Sequence, residues 1–203
     1  MTRLLMIGFA VTVSLAAGPT TRPSSAPARV RDGLVNGSVR FLVPADWILD
    51  SRTDNGLNVV YKIPNDGGLV SILITQQKEA IPQNNAALLA QMTKTILGWD
   101  NENLKKHNFE VTDAPKVERD ARFMLKIHER YKDGDHPFDV IHIYRGIGLN
   151  LVGVTAAAST EDPKVAKQVH DAASLMLMSV SLAAPDPKIV RPVPKKEESK
   201  KEG

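Results

Sequence analysis

The stretch that decides the fold is residues 38–76, SVRFLVPADWILDSRTDNGLNVVYKIPNDGGLVSILITQ. Three apolar segments lie in it, separated by turn chemistry. Residues 39–43 form the first, and Pro44 ends it because proline has no N–H for a strand ladder, which leaves Ala45, Asp46 and Trp47 as a turn. Trp47 reads as a cap over the sheet edge. After the turn signal Asp54-Asn55-Gly56, residues 57–63 (LNVVYKI) are β-branched and aromatic. Pro64-Asn65-Asp66-Gly67-Gly68 then connects them to residues 69–75 (LVSILIT), with positive φ expected at Asp66-Gly67. The nearly continuous apolar character of 69–75 predicts a central strand covered on both faces.

Upstream of this stretch the composition changes. A short positive start, residues 1–3, precedes an uncharged apolar run at 4–17 (LLMIGFAVTVSLAA). Fourteen residues are too few for the roughly 20 that span a bilayer as a helix. They fit the core of a secretory signal peptide, with Ser14-Leu15-Ala16 supplying small residues near a cleavage point. Residues 18–36 are rich in Pro, Ser, Thr and Ala and read as a disordered linker. The expected organisation is a signal peptide at 1–17, this linker, a folded domain at 37–183, and a disordered charged tail at 184–203. Such a chain is secreted or periplasmic and keeps no stable membrane anchor after cleavage.

Downstream of the hairpin, Ile81-Pro82-Gln83-Asn84 closes the sheet run and opens a helix, with Asn84 or Asn85 as N-cap. Leu89, Met92, Ile96 and Trp99, with Leu88 beside them, form one apolar stripe. Residues 109–156 read as a four-strand meander: 109–117, 122–131, 138–144 and 149–154. A second helix opens near Ser159–Pro163, where cap candidates, acids and a first-turn proline coincide. Val165, Val169, Ala172, Met176 and Val180 recur in it at helical spacing. From Ala172 onward it is apolar nearly all round, which predicts deep burial of that end.

Charge and cysteine content narrow the function classes. The formal net charge of +3 resides in the ends: residues 1–36 carry four Arg against one Asp, and 184–203 carry six Lys/Arg against four acids. Residues 37–183 therefore hold a net −2, and nucleic-acid binding by the domain loses its main electrostatic driving force. With no cysteine in the chain, disulfides, thiolate catalysis and Cys-ligated metals are excluded.

Familiar catalytic motifs fail on physical grounds. His128-Glu129-Arg130-Tyr131-Lys132 opens like a zinc protease helix, but Lys132 stands where the second His is required, and the segment is strand-like. Gly146-x-Gly148 lacks the third Gly of a dinucleotide fingerprint, Leu151 holding that place, and no helix follows. A nucleophile elbow and a P-loop are both missing from the sequence, and for the stretch 50–56, which has the acids and the Gly of a calcium loop, Lys62 stands where the bidentate Glu is needed, six residues after Gly56. No catalytic residue and no cofactor site is identified. The constellation that remains is His128 with His142. If the turn at 132–137 (KDGDHP) pairs their strands so that partners sum to about 270, both imidazoles project from one face, with Asp135 and His136 at the turn. Two imidazoles on one face are candidate transition-metal ligands or pH reporters, short of a third ligand.

The order strand, hairpin, helix, meander, helix, opened by FLVPADW and with VVYKIPNDGGLVSILIT as the hairpin, resembles the PsbP-like family, over about residues 37–183. That family is named for an extrinsic subunit of photosystem II and shares its fold with a small nuclear-import factor. The resemblance implies an α+β fold in which an antiparallel sheet is sandwiched between helices. It also implies an exported, usually non-enzymatic domain that docks to other proteins. Layer logic gives the same architecture independently, two helices and about seven mostly antiparallel strands. The expected function is a protein-binding or assembly-accessory domain of the periplasm or cell envelope, its partner an envelope or secreted protein. The alternative is a metal-dependent enzyme, or a small-molecule or lipid carrier, using the sheet face around His128 and His142.

Overall fold

The computed structural model describes residues 28–53, 55–79, 86–120 and 123–194. The leader at 1–17, the cap candidates Asn84 and Asn85, and residues 195–203 lie outside the described residues. Among the described residues, ten strands and two α-helices follow in the order β1 (Arg29–Leu34), β2 (Val39–Pro44), β3 (Ile48–Arg52), β4 (Asn58–Ile63), β5 (Gly68–Gln76), α1 (Ala86–Lys106), β6 (Glu110–Asp120), β7 (Phe123–Asp133), β8 (His136–Ile147), β9 (Asn150–Ala158), α2 (Pro163–Met178) and β10 (Ser181–Leu182).

Seven of the strands make one antiparallel sheet in the order β3-β4-β5-β9-β8-β7-β6. The hairpin at residues 57–76 and the four-strand meander are both present as expected, and β5, third from one edge, joins them by pairing with β9. Positive φ falls on Asn65 and Asp66, one residue earlier than expected. Gly68 follows at φ 115°, and a Cβ there would overlap the carbonyl oxygen of Ala157 on β9, so glycine is required for the two backbones to approach.

Because neighbouring residues of a strand face opposite sides, the register sorts the sheet into two surfaces. On one, Val59, Tyr61, Val70, Ile72, Ile74, Ile141, Ile143, Val152, Val154 and Ala156 are buried beneath α2 and β2. On the other, Leu125, Ile127 and Tyr144 pack with Ile96 of α1, and Leu89 and Met92 of the expected stripe join them. The sheet thus lies between helices, an α+β sandwich. Pro163 occupies the first turn of α2, where its missing N–H is no loss, and Asp162 Oδ1 caps the helix by accepting from the Lys164 N–H at 2.8 Å.

Three expectations need correction, and one edge strand comes in addition. The stretch 18–36 is not all linker, because β1 pairs along its whole length with β2, and its Asp32 is fully buried. Two arginines and an aspartate mask β1 in the sequence, and the partners of that aspartate, Arg52, Tyr61 and Arg191, lie far along the chain. The tail is likewise not free from residue 184. Arg40 donates to the Ala184 carbonyl at 2.9 Å, the Asp186 N–H to Asn36 at 2.9 Å, and the Arg191 N–H to Asp32 at 3.0 Å, with a 3₁₀ turn at Pro187–Ile189 between them. Residues 48–52 form an edge strand whose register shifts at a bulge between Leu49 and Ser51. Finally, the end of α2 is only half covered. Met176 and Leu177 are buried, whereas Leu175 and Met178 are 46% and 40% exposed.

Candidate functional site

The β7–β8 pairing decides where the histidines go. Its partners sum to 269, so His128 lies opposite Ile141 and His142 opposite Ile127. A shift of one residue exchanges the faces of a strand, and the expected pair His128/His142 is therefore split across the sheet. His128 joins the α2 face and His142 the α1 face. Asp135 and His136 sit at the turn between the two strands and join neither group.

His142 is buried, and both of its ring nitrogens have partners. Nδ1 lies 3.0 Å from Thr155 Oγ1 on β9, and Nε2 lies 3.2 Å from Oε2 of buried Glu129 on β7. On the face of the sheet that carries Ile127 and Tyr144, this group ties the three adjacent strands β7, β8 and β9 together.

On the other face the sheet brings three residues to His128 that the sequence reading missed as site residues: Asp139, His170 and Arg130. Asp139 lies on β8 and His170 on α2, which crosses β8 and β9. Asp139 Oδ1 is 2.6 Å from His128 Nε2 and 3.2 Å from His170 Nε2, while Oδ2 accepts from Arg130 Nε at 2.8 Å. His170 Nε2 also lies 3.2 Å from the backbone carbonyl oxygen of Asp139. The two imidazoles meet edge to face, with centroids 5.6 Å apart. Arg130 extends the network to Asp113 at 3.3 Å, and Lys126 on the same face of β7 pairs with Glu118 at 2.6 Å.

The electrostatics follow from this placement. Burial on its own raises the Asp139 carboxyl, but the hydrogen bonds from Arg130 and His128 and the charges of His128 and His170 outweigh it, holding the group below the usual carboxylate range. His170 is pushed down, chiefly by burial, against the opposing pull of Asp139. The same Asp139 contacts push the Arg130 guanidinium further up. An ionised carboxylate flanked by two imidazoles and an arginine is a ligand set and hydrogen-bond hub, partly open to solvent, since His128 and His170 keep 23% and 15% of their side chains exposed.

Two signals for this site are present in the sequence. Asp139 interrupts the apolar run FDVIHIY, and His170 interrupts the buried stripe Ala166, Val169, Ala173, Met176. A polar residue set into a dry face needs a partner, although its identity depends on register and helix placement.

Among protein-family models none matches the chain, and no curated protein matches it. Solved structures do. A crystal structure from Bacteroides thetaiotaomicron aligns with a TM-score of 0.50 and 8% identity over 76% of this chain and 48% of that one, so the chain spans about half that protein's length. The solution structure of cyanobacterial PsbP (CyanoP) from Synechocystis aligns with a TM-score of 0.49 and 14% identity, covering 81% of this chain and 98% of that one. LpqN, involved in cell envelope biogenesis of Mycobacterium tuberculosis, aligns with a TM-score of 0.37 and 15% identity over 79% and 87%. A PsbP is thus among the structures this chain is similar to, as the resemblance in its sequence implied. At these identities the likeness concerns the fold alone.

Proposed function

We propose that the protein is an exported, non-catalytic domain of the periplasm or cell envelope that binds a protein partner or assists assembly. The observation that carries this reading is a group of exposed apolar side chains at one end of the fold. Leu149, Leu175, Met178 and Leu182 are 40–51% exposed. Leu182 on β10 reaches the β8–β9 turn at Gly148, next to Leu149, and Arg145 of β8 contacts the Met178 sulfur at 4.0 Å. Leu175 precedes Met178 by one helical turn. Exposed apolar residues are ordinary when scattered, and a group of large ones marks an interaction surface. The polar chemistry, by contrast, is directed inward, with the Asp32, Asp139 and His142 side chains all hydrogen-bonded to neighbouring groups of the domain. Export is supported by the positively charged start and the short apolar run at 4–17.

Two measurements test the proposal. Fusing a periplasm-dependent reporter after Pro27 is expected to give export activity, and an inactive, cell-retained fusion would overturn the localisation. The mature chain and its Leu175→Lys/Leu182→Lys variant, matched for fold by circular dichroism, are then used to capture proteins from an envelope extract. A stoichiometric protein retained by the first and lost from the second is the expected result. Identical captures from both, or none from either, would overturn docking through this surface.

A further inference from the structure

The His128–Asp139–His170 cluster has the composition and spacing of a metal site. Each residue offers one ligand atom, and the three atoms lie within 4.8 Å of one another. They come from β7, β8 and α2, so the site exists only in the folded chain. Zinc binds imidazole nitrogen and carboxylate oxygen at about 2.0–2.2 Å, which in a tetrahedral arrangement sets the donor atoms roughly 3.4 Å apart. The His170–Asp139 separation of 3.2 Å is already near that spacing, and the His128–Asp139 separation of 2.6 Å has to widen by about 0.8 Å. We propose that His128 Nε2, Asp139 Oδ1 and His170 Nε2 bind one divalent transition ion of the zinc type, its fourth position open to solvent.

Three features support an ion at this place. First, Arg130 holds Asp139 Oδ2, which fixes the carboxylate plane and turns Oδ1 towards both imidazoles, as the outer partners of metal ligands do. Second, the ligand set brings its own negative charge. Asp139 contributes a carboxylate, and among the side chains of β6 and β7 on this face Asp113 and Glu118 pair with Arg130 and Lys126, with Lys116 of β6 standing opposite His128. Third, the ligands stand on regular elements. β7 and β8 pair without a bulge through this region, and α2 is held down by Ala166, Val169 and Ala173. Two imidazoles with one carboxylate suit zinc, cobalt or nickel, whereas magnesium and calcium favour an all-oxygen shell. Each imidazole binds as the neutral tautomer with its proton on Nδ1, Asp139 remains ionised, and any imidazolium present beforehand releases one proton to solvent.

The site uses side chains separate from the apolar group at the α2–β10 end, and it stands or falls independently of docking there. The test is titration of the chelator-treated full chain with Zn²⁺ by calorimetry and with Co²⁺ by absorption spectroscopy. One equivalent of each ion is expected, with Co²⁺ giving visible bands of a four- or five-coordinate nitrogen–oxygen site and excess Mg²⁺ failing to compete. His128→Gln and His170→Gln are each expected to weaken Zn²⁺ binding by about 100-fold, since losing a ligand costs at least as much as losing an outer partner. His142→Gln, on the opposite face, is expected to leave affinity and spectrum unchanged. Near-UV circular dichroism confirms that each variant is folded, and no variant at Asp139 is required. A wild-type chain with no one-to-one complex would overturn the assignment. So would a complex whose affinity and Co²⁺ spectrum persist in the His128→Gln/His170→Gln double variant, which would place the ion elsewhere, for instance at His107 or His136.

Discussion

Replacing Asp32 by Asn removes one charge from a fully buried position while keeping the shape of the side chain. The carboxylate joins distant parts of the chain. Arg52 Nη2 of β3 donates to both oxygens at 2.9 Å, the Tyr61 hydroxyl of β4 donates to Oδ2, and the Gly33 and Arg191 N–H groups donate to Oδ1 at 2.7 and 3.0 Å. An asparagine presents one acceptor oxygen and one NH₂ to this ring of donors, so Arg52, itself only 11% exposed, keeps its charge without a counter-charge. Removing one partner of a buried pair costs about 3–5 kcal/mol. Against a typical total of about 5–15 kcal/mol this is a large share, and it corresponds to a fall in Tm of about 10 °C for a domain of this size. Urea unfolding followed by far-UV circular dichroism is expected to show a lower midpoint with an unchanged slope, because the surface exposed on unfolding stays the same. Adding Arg52→Met to Asp32→Asn should recover part of the loss, since the orphaned charge is then gone. A change within about 0.5 kcal/mol for Asp32→Asn, or strict additivity of the two substitutions, would refute the claim that this ion pair anchors β1 to the sheet.

The Tyr61 phenol is raised well above its ordinary range, first by burial and then by the charge and hydrogen bond of Asp32, with Arg52 and Arg191 opposing. Above about pH 10 the unfolded chain loses this proton while the folded one keeps it, so stability complete below that pH falls by up to roughly 1.4 kcal/mol per unit above it. In Tyr61→Phe the alkaline slope of stability against pH should flatten by that amount, and parallel curves would exclude the assignment. Gly68→Ala introduces a Cβ onto the Ala157 carbonyl at φ 115° and should cost more than about 2 kcal/mol. The control is Gly134→Ala, at φ 57° with open space around it, expected to lose about 1 kcal/mol. Equal losses in urea unfolding would show that β5 and β9 can separate freely at this point.

The legible parts of the fold were those whose signal is local. Alternation and turn residues are enough to identify the 57–76 hairpin, and Asp162-Pro163 with the stripe through Val169 and Met176 is enough to start and orient α2. Missing were β1, β3 and the docked part of the tail. Each is rich in polar or charged residues whose partners lie far away in sequence, Asp32 with Arg52 and Arg191 above all. The candidate site was half legible. His128 was singled out, but paired with His142 because the register was read one residue away from where it falls.

That single residue marks the boundary between sequence and tertiary structure in this protein. Hydrophobic periodicity tells which residues of a strand share a side, so strand, helix and sandwich follow from the chain alone. The parity of β7 against β8 depends instead on the turn at Gly134 and on the layers pressing from α1 and α2, a cooperative choice that no local pattern contains. Where α2 comes to rest then decides that His170, and not His142, meets His128 across the Asp139 carboxylate.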